Sequence, residues 1–159
     1  MKKSIIVLGA AVLLAACGGE DKKKKEFQYN RVQKTETKKV VATEKAPVDM
    51  DNEGIGPIKG FSFPETTDSA LAKKGEAAFK QKCTACHYPN KRLIGPAMKG
   101  IYERRNPSWV MNMLLNPTEM LEKDPIAKAL LKEYNNTIML NQNLSEEEAR
   151  SIAEYLRTL

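Results

Sequence analysis

The chain has 159 residues, with 26 Lys plus Arg, 20 Asp plus Glu and a single histidine. That length holds one ordinary domain with extensions or two very small ones. Three cysteines exclude a fully paired disulfide framework, and one histidine excludes any site built on two imidazoles. The net charge of +6 is too small by itself to mark a nucleic-acid binder, so its location carries the information.

The first sixteen residues read as an address. Lys2 and Lys3 form a basic start, and Ile5 to Leu14 make an apolar run of ten residues. A bilayer needs about 20 residues, so this run is a signal peptide and not a membrane span. The stretch that follows, Leu14-Ala15-Ala16-Cys17, resembles the lipobox of bacterial lipoproteins. The resemblance implies that Cys17 is alkylated by a diacylglycerol and becomes the mature N-terminus, because several acyl chains on one residue anchor stably. An ordinary secretory cleavage site with an incidental cysteine is the competing reading. From Gly18 to Glu65 the composition shifts to ten basic and nine acidic residues, with a Lys22 to Lys25 run and the glycines and prolines of Gly54-Ile55-Gly56-Pro57-Ile58-Lys59-Gly60. No helical period persists there, so residues 17–65 are expected to be a lipidated cysteine and flexible charged linker. Its reach is roughly 35 to 40 Å by flexible-chain scaling.

Residues 66–159 are expected to be the folded domain, and an all-α one. Asp68 is placed to cap a first helix whose Leu71, Ala72, Gly75, Ala78 and Phe79 share one face. Asn106-Pro107, Asn116-Pro117 and Asp124-Pro125 each set a capping residue before a proline at the first helical position. They predict two or three short helices, among them 108–115 and 126–134. Ser145 with Glu148 makes a capping box for a last helix, with Ala149, Ile152, Ala153, Tyr155 and Leu156 as its apolar stripe. No segment alternates as a core strand.

The chemistry sits just after the first helix, in Cys83-Thr84-Ala85-Cys86-His87. C-x-x-C-H is the pattern of c-type haem attachment. Two thiols on one turn of chain can each add to a porphyrin vinyl group, and the imidazole that follows is placed beneath the iron. A structural zinc site needs four ligands, whereas these residues supply three. A thioredoxin-like motif needs a βαβ pattern that is missing here. A simple Cys83–Cys86 disulfide leaves His87 without a role.

With these features the chain resembles the class I c-type cytochromes over roughly residues 69–159. Gly75 and Phe79 match the small and aromatic residues of that family's N-terminal helix, expected to cross the C-terminal helix near Tyr155 and Leu156. Gly95-Pro96 follows His87 at the family's spacing, and the resemblance implies that the Pro96 carbonyl accepts a hydrogen bond from the imidazole Nδ1. The fold implied is a small cytochrome c of about four or five short helices around one covalently bound haem c.

With one histidine the sixth iron position falls to methionine, with an open site or lysine behind it. Met139 lies 52 residues after His87 and six before Ser145, where the family carries its axial methionine. Leu140 departs from the proline usual after it, which implies a more flexible loop. Met120 is the second candidate. Met98 is expected at the haem edge, and at most one of Met111 and Met113 faces inward. Arg104, Arg105 and Trp109 are candidate partners of a haem propionate, and Lys73 to Lys99 are candidate members of a basic rim that steers an acidic redox partner. The resemblance implies a membrane-anchored electron carrier and not an enzyme. It would be monomeric, facing the periplasm, and held to lipid through Cys17. It would pass single electrons from a respiratory donor to a periplasmic reductase or terminal oxidase, with no nucleic acid. A haem enzyme or a gas or redox sensor with an exchangeable distal site is the alternative, kept open by Leu140.

Overall fold

The computed structural model describes residues 45–159; the leader, Cys17 and the tract to residue 44 lie outside the described residues. Five α-helices and one 3₁₀ turn form the domain: α1 (Ser69–Lys82), the turn Ile101–Glu103, α2 (Pro107–Leu115), α3 (Pro117–Lys123), α4 (Pro125–Glu133) and α5 (Glu146–Leu156). None is long and apolar enough to cross a membrane. The expected starts hold to within a residue. Asp68 accepts the Leu71 N–H at 2.9 Å, Asn106 accepts that of Ser108, and Asp124 that of Ala127. Both halves of the Ser145–Glu148 capping box are made. Asn116 is the exception: its side chain makes no cap bond and donates instead to Glu119 Oε2 at 2.7 Å.

Helices α1 and α5 cross as the first and last elements of the domain. Phe79 and Tyr155 meet with ring centroids 5.4 Å apart. At the crossing point a Cβ on Gly75 would run into the Ser151 carbonyl and lie 2.9 Å from the Ile152 nitrogen. Only glycine lets the two backbones approach this closely.

The expectation of a flexible linker to residue 65 is corrected for residues 45–65, which lie on the domain as an ordered strap. Asn112 is fully buried and serves the strap three times. Its Oδ1 accepts the Ile58 N–H at 3.0 Å, and its Nδ2 donates to the carbonyls of Ile58 and Glu53. Ser108 Oγ accepts the Phe61 N–H, Asn106 donates to the Met50 carbonyl, and Asn52 donates to Asp124 at 2.7 Å. The strap is therefore held through its own backbone by polar side chains of α2 and its neighbours. Its far end closes on aromatic stacking: Phe61, Phe63 and Tyr102 meet edge to face, and the Arg157 guanidinium lies 4.5 Å from the Phe63 ring centre.

Asn112→Ala leaves two backbone carbonyls and one N–H of the strap without partners. Each orphaned group costs about 1–3 kcal/mol, so the holoprotein is expected to lose several degrees of melting temperature. Limited proteolysis is expected to open first within residues 45–65.

Candidate cofactor site

Helix α1 ends where the attachment motif begins. Cys83 is its C-cap and donates its N–H to the Phe79 carbonyl. The chain then turns tightly, with Cys86 N and His87 N both bonded to the Cys83 carbonyl at 3.0 and 2.9 Å. This turn brings Cys83, Cys86 and His87 to the wall of one cavity of about 620 Å³, a size typical of cofactor sites. The rest of the wall is mostly apolar and includes Phe79, Met98, Trp109, Leu114, Ile152 and Leu156. Both thiols are free; burial pushes that of Cys83 up to about 11.

The imidazole of His87 is held from two sides. Its Nδ1 lies 3.1 Å from the Pro96 carbonyl. A carbonyl can only accept, so Nδ1 carries the proton and Nε2 keeps its lone pair. Burial holds the ring's pKa below its ordinary value, with the Pro96 bond pulling the other way, so the ring is neutral at neutral pH. Behind it, Gly95 donates its N–H to the Cys86 carbonyl at 2.8 Å. A Cβ on Gly95 would come within 2.8 Å of Nδ1.

Of the methionines, Met139 lines the same cavity as His87, as do Met98 and Met113. Met120 does not. It is fully buried, and its sulfur takes the Ile55 N–H at 3.0 Å, so the second candidate is a fastening point of the strap. Met111 is buried away from this cavity, against a smaller hollow beside Pro57 and Arg150.

The expectation that the Trp109 indole meets a propionate is corrected: its N–H donates to the buried Asp124 carboxylate at 3.0 Å. Asp124 also caps α4 and receives Asn52 of the strap. Arg104 lines the cavity but donates to three carbonyls of its own loop, those of Ala97, Lys99 and Gly100. Arg105 lines it too, with Nη1 bonded to the carbonyls of Pro47 and Arg104.

The basic rim is thinner than the sequence implies. Lys80 pairs with Glu76 and Lys82 with Glu148. Arg92 lies 4.0 Å above the Tyr134 ring and donates to the Glu133 carbonyl. The cavity residues that sequence reasoning missed are Lys45 and Ala46 of the strap, with Glu133 and Tyr134 at the end of α4. Ala46 donates its N–H to Glu133 Oε2 at 2.9 Å. No sequence signal marked that contact, because a backbone donor has no residue signature.

Among the described residues no cluster of three or more His, Cys, Asp or Glu side chains is placed to hold a bare metal ion. Two thiols and a neutral imidazole at the wall of a mostly apolar cavity fit a covalently held haem. They define the class as a helical haem-c domain. The family model for Cytochrome c matches residues 72–159. Cytochrome c2 of Rhodopseudomonas palustris is 30% identical over 112 residues, covering 55% of this chain and 97% of that protein. The solved cytochrome c from Rhodothermus marinus is 48% identical over 65% of this chain and 88% of its own, with a TM-score of 0.62. An engineered form of it bound to a carbene intermediate is 47% identical, with a TM-score of 0.60. The chain belongs to the cytochrome c family. It carries one covalently bound haem c and is a haem-based electron carrier.

Gly95→Ala drives a methyl group into the His87 ring. Overpacking of this kind costs about 1–3 kcal/mol. The variant is expected to melt at lower temperature and to show a larger high-spin fraction in its ferric visible spectrum than the wild type.

Proposed function

We propose that Cys83 and Cys86 form the two thioethers to haem c, that His87 Nε2 and Met139 are its axial ligands, and that the Pro96 carbonyl sets the orientation of the His87 ring. The observation that carries this reading is the meeting of all these residues around one cavity, with Nδ1 already committed to Pro96. Haem with His and Met ligands supplies a one-electron iron couple of raised potential. The residues of the chain do the rest. The Pro96 bond fixes the imidazole plane and raises its basicity. The apolar wall excludes water. Phe79 and Trp109 form part of that wall and are themselves buried.

Arg105 is the candidate partner of a haem propionate. It lines the cavity, is only 4% exposed, and belongs to none of the ion pairs of the described residues. Partner docking falls where large apolar side chains are exposed at the cavity mouth: Ile94, Ile138 at 63% and Leu140 at 70%. This surface suits a partner whose contact face is apolar at its centre, and of the basic rim Lys80 and Lys82 are paired within the domain.

Lipidation at Cys17 would hold the carrier to a membrane on its periplasmic side, between a respiratory donor and a reductase or terminal oxidase. The support for this is the sequence Leu14-Ala15-Ala16-Cys17 behind a ten-residue apolar run.

A second reading has its own observation. The loop holding Met139 is flanked by Asn135, Asn136 and Asn143, all with left-handed backbones (φ 57°, 57° and 50°). Its first residues are tied to the end of α4, through Asn136 N–H to the Leu131 carbonyl and Thr137 N–H to the Tyr134 carbonyl, whereas the bonds of Gln142 and Asn143 stay within the loop. Such a loop lets Met139 exchange with a small neutral ligand, the behaviour of a sensor or enzyme.

The visible spectrum tests both readings. Ferric wild-type protein is expected to show a far-red methionine-to-iron charge-transfer band, absent in Met139→Ala. Reduced wild type is expected to bind carbon monoxide only weakly. Prompt binding by the wild type, with no far-red band, would transfer the conclusion to the exchangeable site.

A further inference from the structure

The strap does more than cover α2. Its first residues reach the cofactor cavity, where Lys45 and Ala46 form part of the wall beside Arg105 and Glu133. They are fastened at three points. Ala46 donates its N–H to Glu133 Oε2 at 2.9 Å, the Pro47 carbonyl accepts Arg105 Nη1 at 2.9 Å, and Asp49 pairs with Arg105 in a parallel backbone bridge. Arg105 is thus gripped by main chain and side chain together, from a segment that precedes it by more than fifty residues.

We propose that residues 46–49 are positioning residues of the haem site, which hold the Arg105 guanidinium at the cavity wall so that its charge faces a haem propionate. This rests on the reading of Arg105 given above and adds the element that fixes it. Without the Pro47 carbonyl, the bond remaining to Arg105 Nη1 is to the carbonyl of its own neighbour, Arg104, which places no constraint from outside the loop. The charged groups around Arg105 are Arg104 on the same segment, Asp49 from the strap, Asp124 between α3 and α4, and Glu133 at the end of α4. None of these carboxylates is within ion-pair distance of it among the described residues. A buried cation in that position is costly until an anion faces it, and the cavity is the side on which an anion can stand.

The test uses full-length holoprotein and reads the midpoint potential against pH. A guanidinium beside a propionate keeps it ionised throughout the neutral range, so the wild-type potential is expected to be flat between about pH 6 and 8. Burial raises the pKa of a propionate that has lost its cation, so moving the guanidinium away lets it take up a proton in that range. Protonation favours the reduced haem, so the potential then falls as pH rises. Ala46→Pro deletes the N–H given to Glu133 and is expected to produce that slope. Arg105→Gln is expected to produce it too, and Arg105→Lys, which keeps the charge, to stay flat. The double variant Ala46→Pro with Arg105→Gln is expected to slope no more than Arg105→Gln alone, since both act through one group. A purely structural strap would shift the melting temperature and leave the profile flat.

A slope in Arg105→Gln with none in Ala46→Pro overturns the role of the strap and leaves the Arg105 reading standing. Flat profiles in both overturn the Arg105 reading as well. A slope in Ala46→Pro alone, or additive slopes in the double variant, show that the strap acts by another route and also overturn the proposal.

Discussion

The domain is built around a space it does not fill with its own side chains. A cavity of about 620 Å³ opens beside the buried core, and Phe79, Trp109, Leu114, Ile152 and Leu156 belong to both. Its lining is mostly apolar, so an apolar filling suits it better than water does. The apolar faces of α1, α2 and α5 are therefore only partly partners of each other; they are also partners of the haem. The same constraint explains why the attachment motif sits on the wall. A covalent bond makes the filling of the core permanent.

The strap is a second shell of polar origin. Asn112, Ser108 and Asp124 are all buried, and each satisfies groups from a segment far away in sequence. Buried polar groups are tolerated when every donor and acceptor is met, and none of the described buried side-chain atoms lacks a partner. At the opposite end, Glu154 is buried between Arg150 and Arg157 and takes the Asp68 N–H at 2.9 Å. The carboxylate thus ties the entry of α1 to α5, and the two guanidiniums stack on the strap's phenylalanines.

Much of this was legible in the sequence, for reasons of distance. Helix caps, proline at the first helical position and the Cys83–His87 spacing are short-range codes, and the caps came out where they were read except at Asn116, whose side chain turns to Glu119. The crossing of α1 on α5 was legible through Gly75 and Phe79 because it rests on the family resemblance. The strap was not legible. Residues 45–65 carry no helical period, and what binds them is the side-chain amide of Asn112 acting on main-chain groups, which leaves no mark in the strap's own composition. Trp109 and Met120 were misjudged for a related reason. Each was read by what its chemistry could offer haem, while Asp124 and the Ile55 N–H claim those atoms first.

The placing of α1 and α5 also sets an order of events. The helix that leads into the attachment turn docks on residues 146–156, which follow it by more than sixty residues, and its key contact at Gly75 is with Ser151. A chain emerging from its amino end therefore presents Cys83 and Cys86 before the partner of α1 exists. During that interval Gly75 of α1 has no Ser151 carbonyl to pack against. In the folded domain the Cys83 thiol is partly buried and its pKa raised, while Cys86 stays exposed. The attachment turn is thus made before the helix that α1 packs on, and the length of chain between the motif and α5 is the length of that interval.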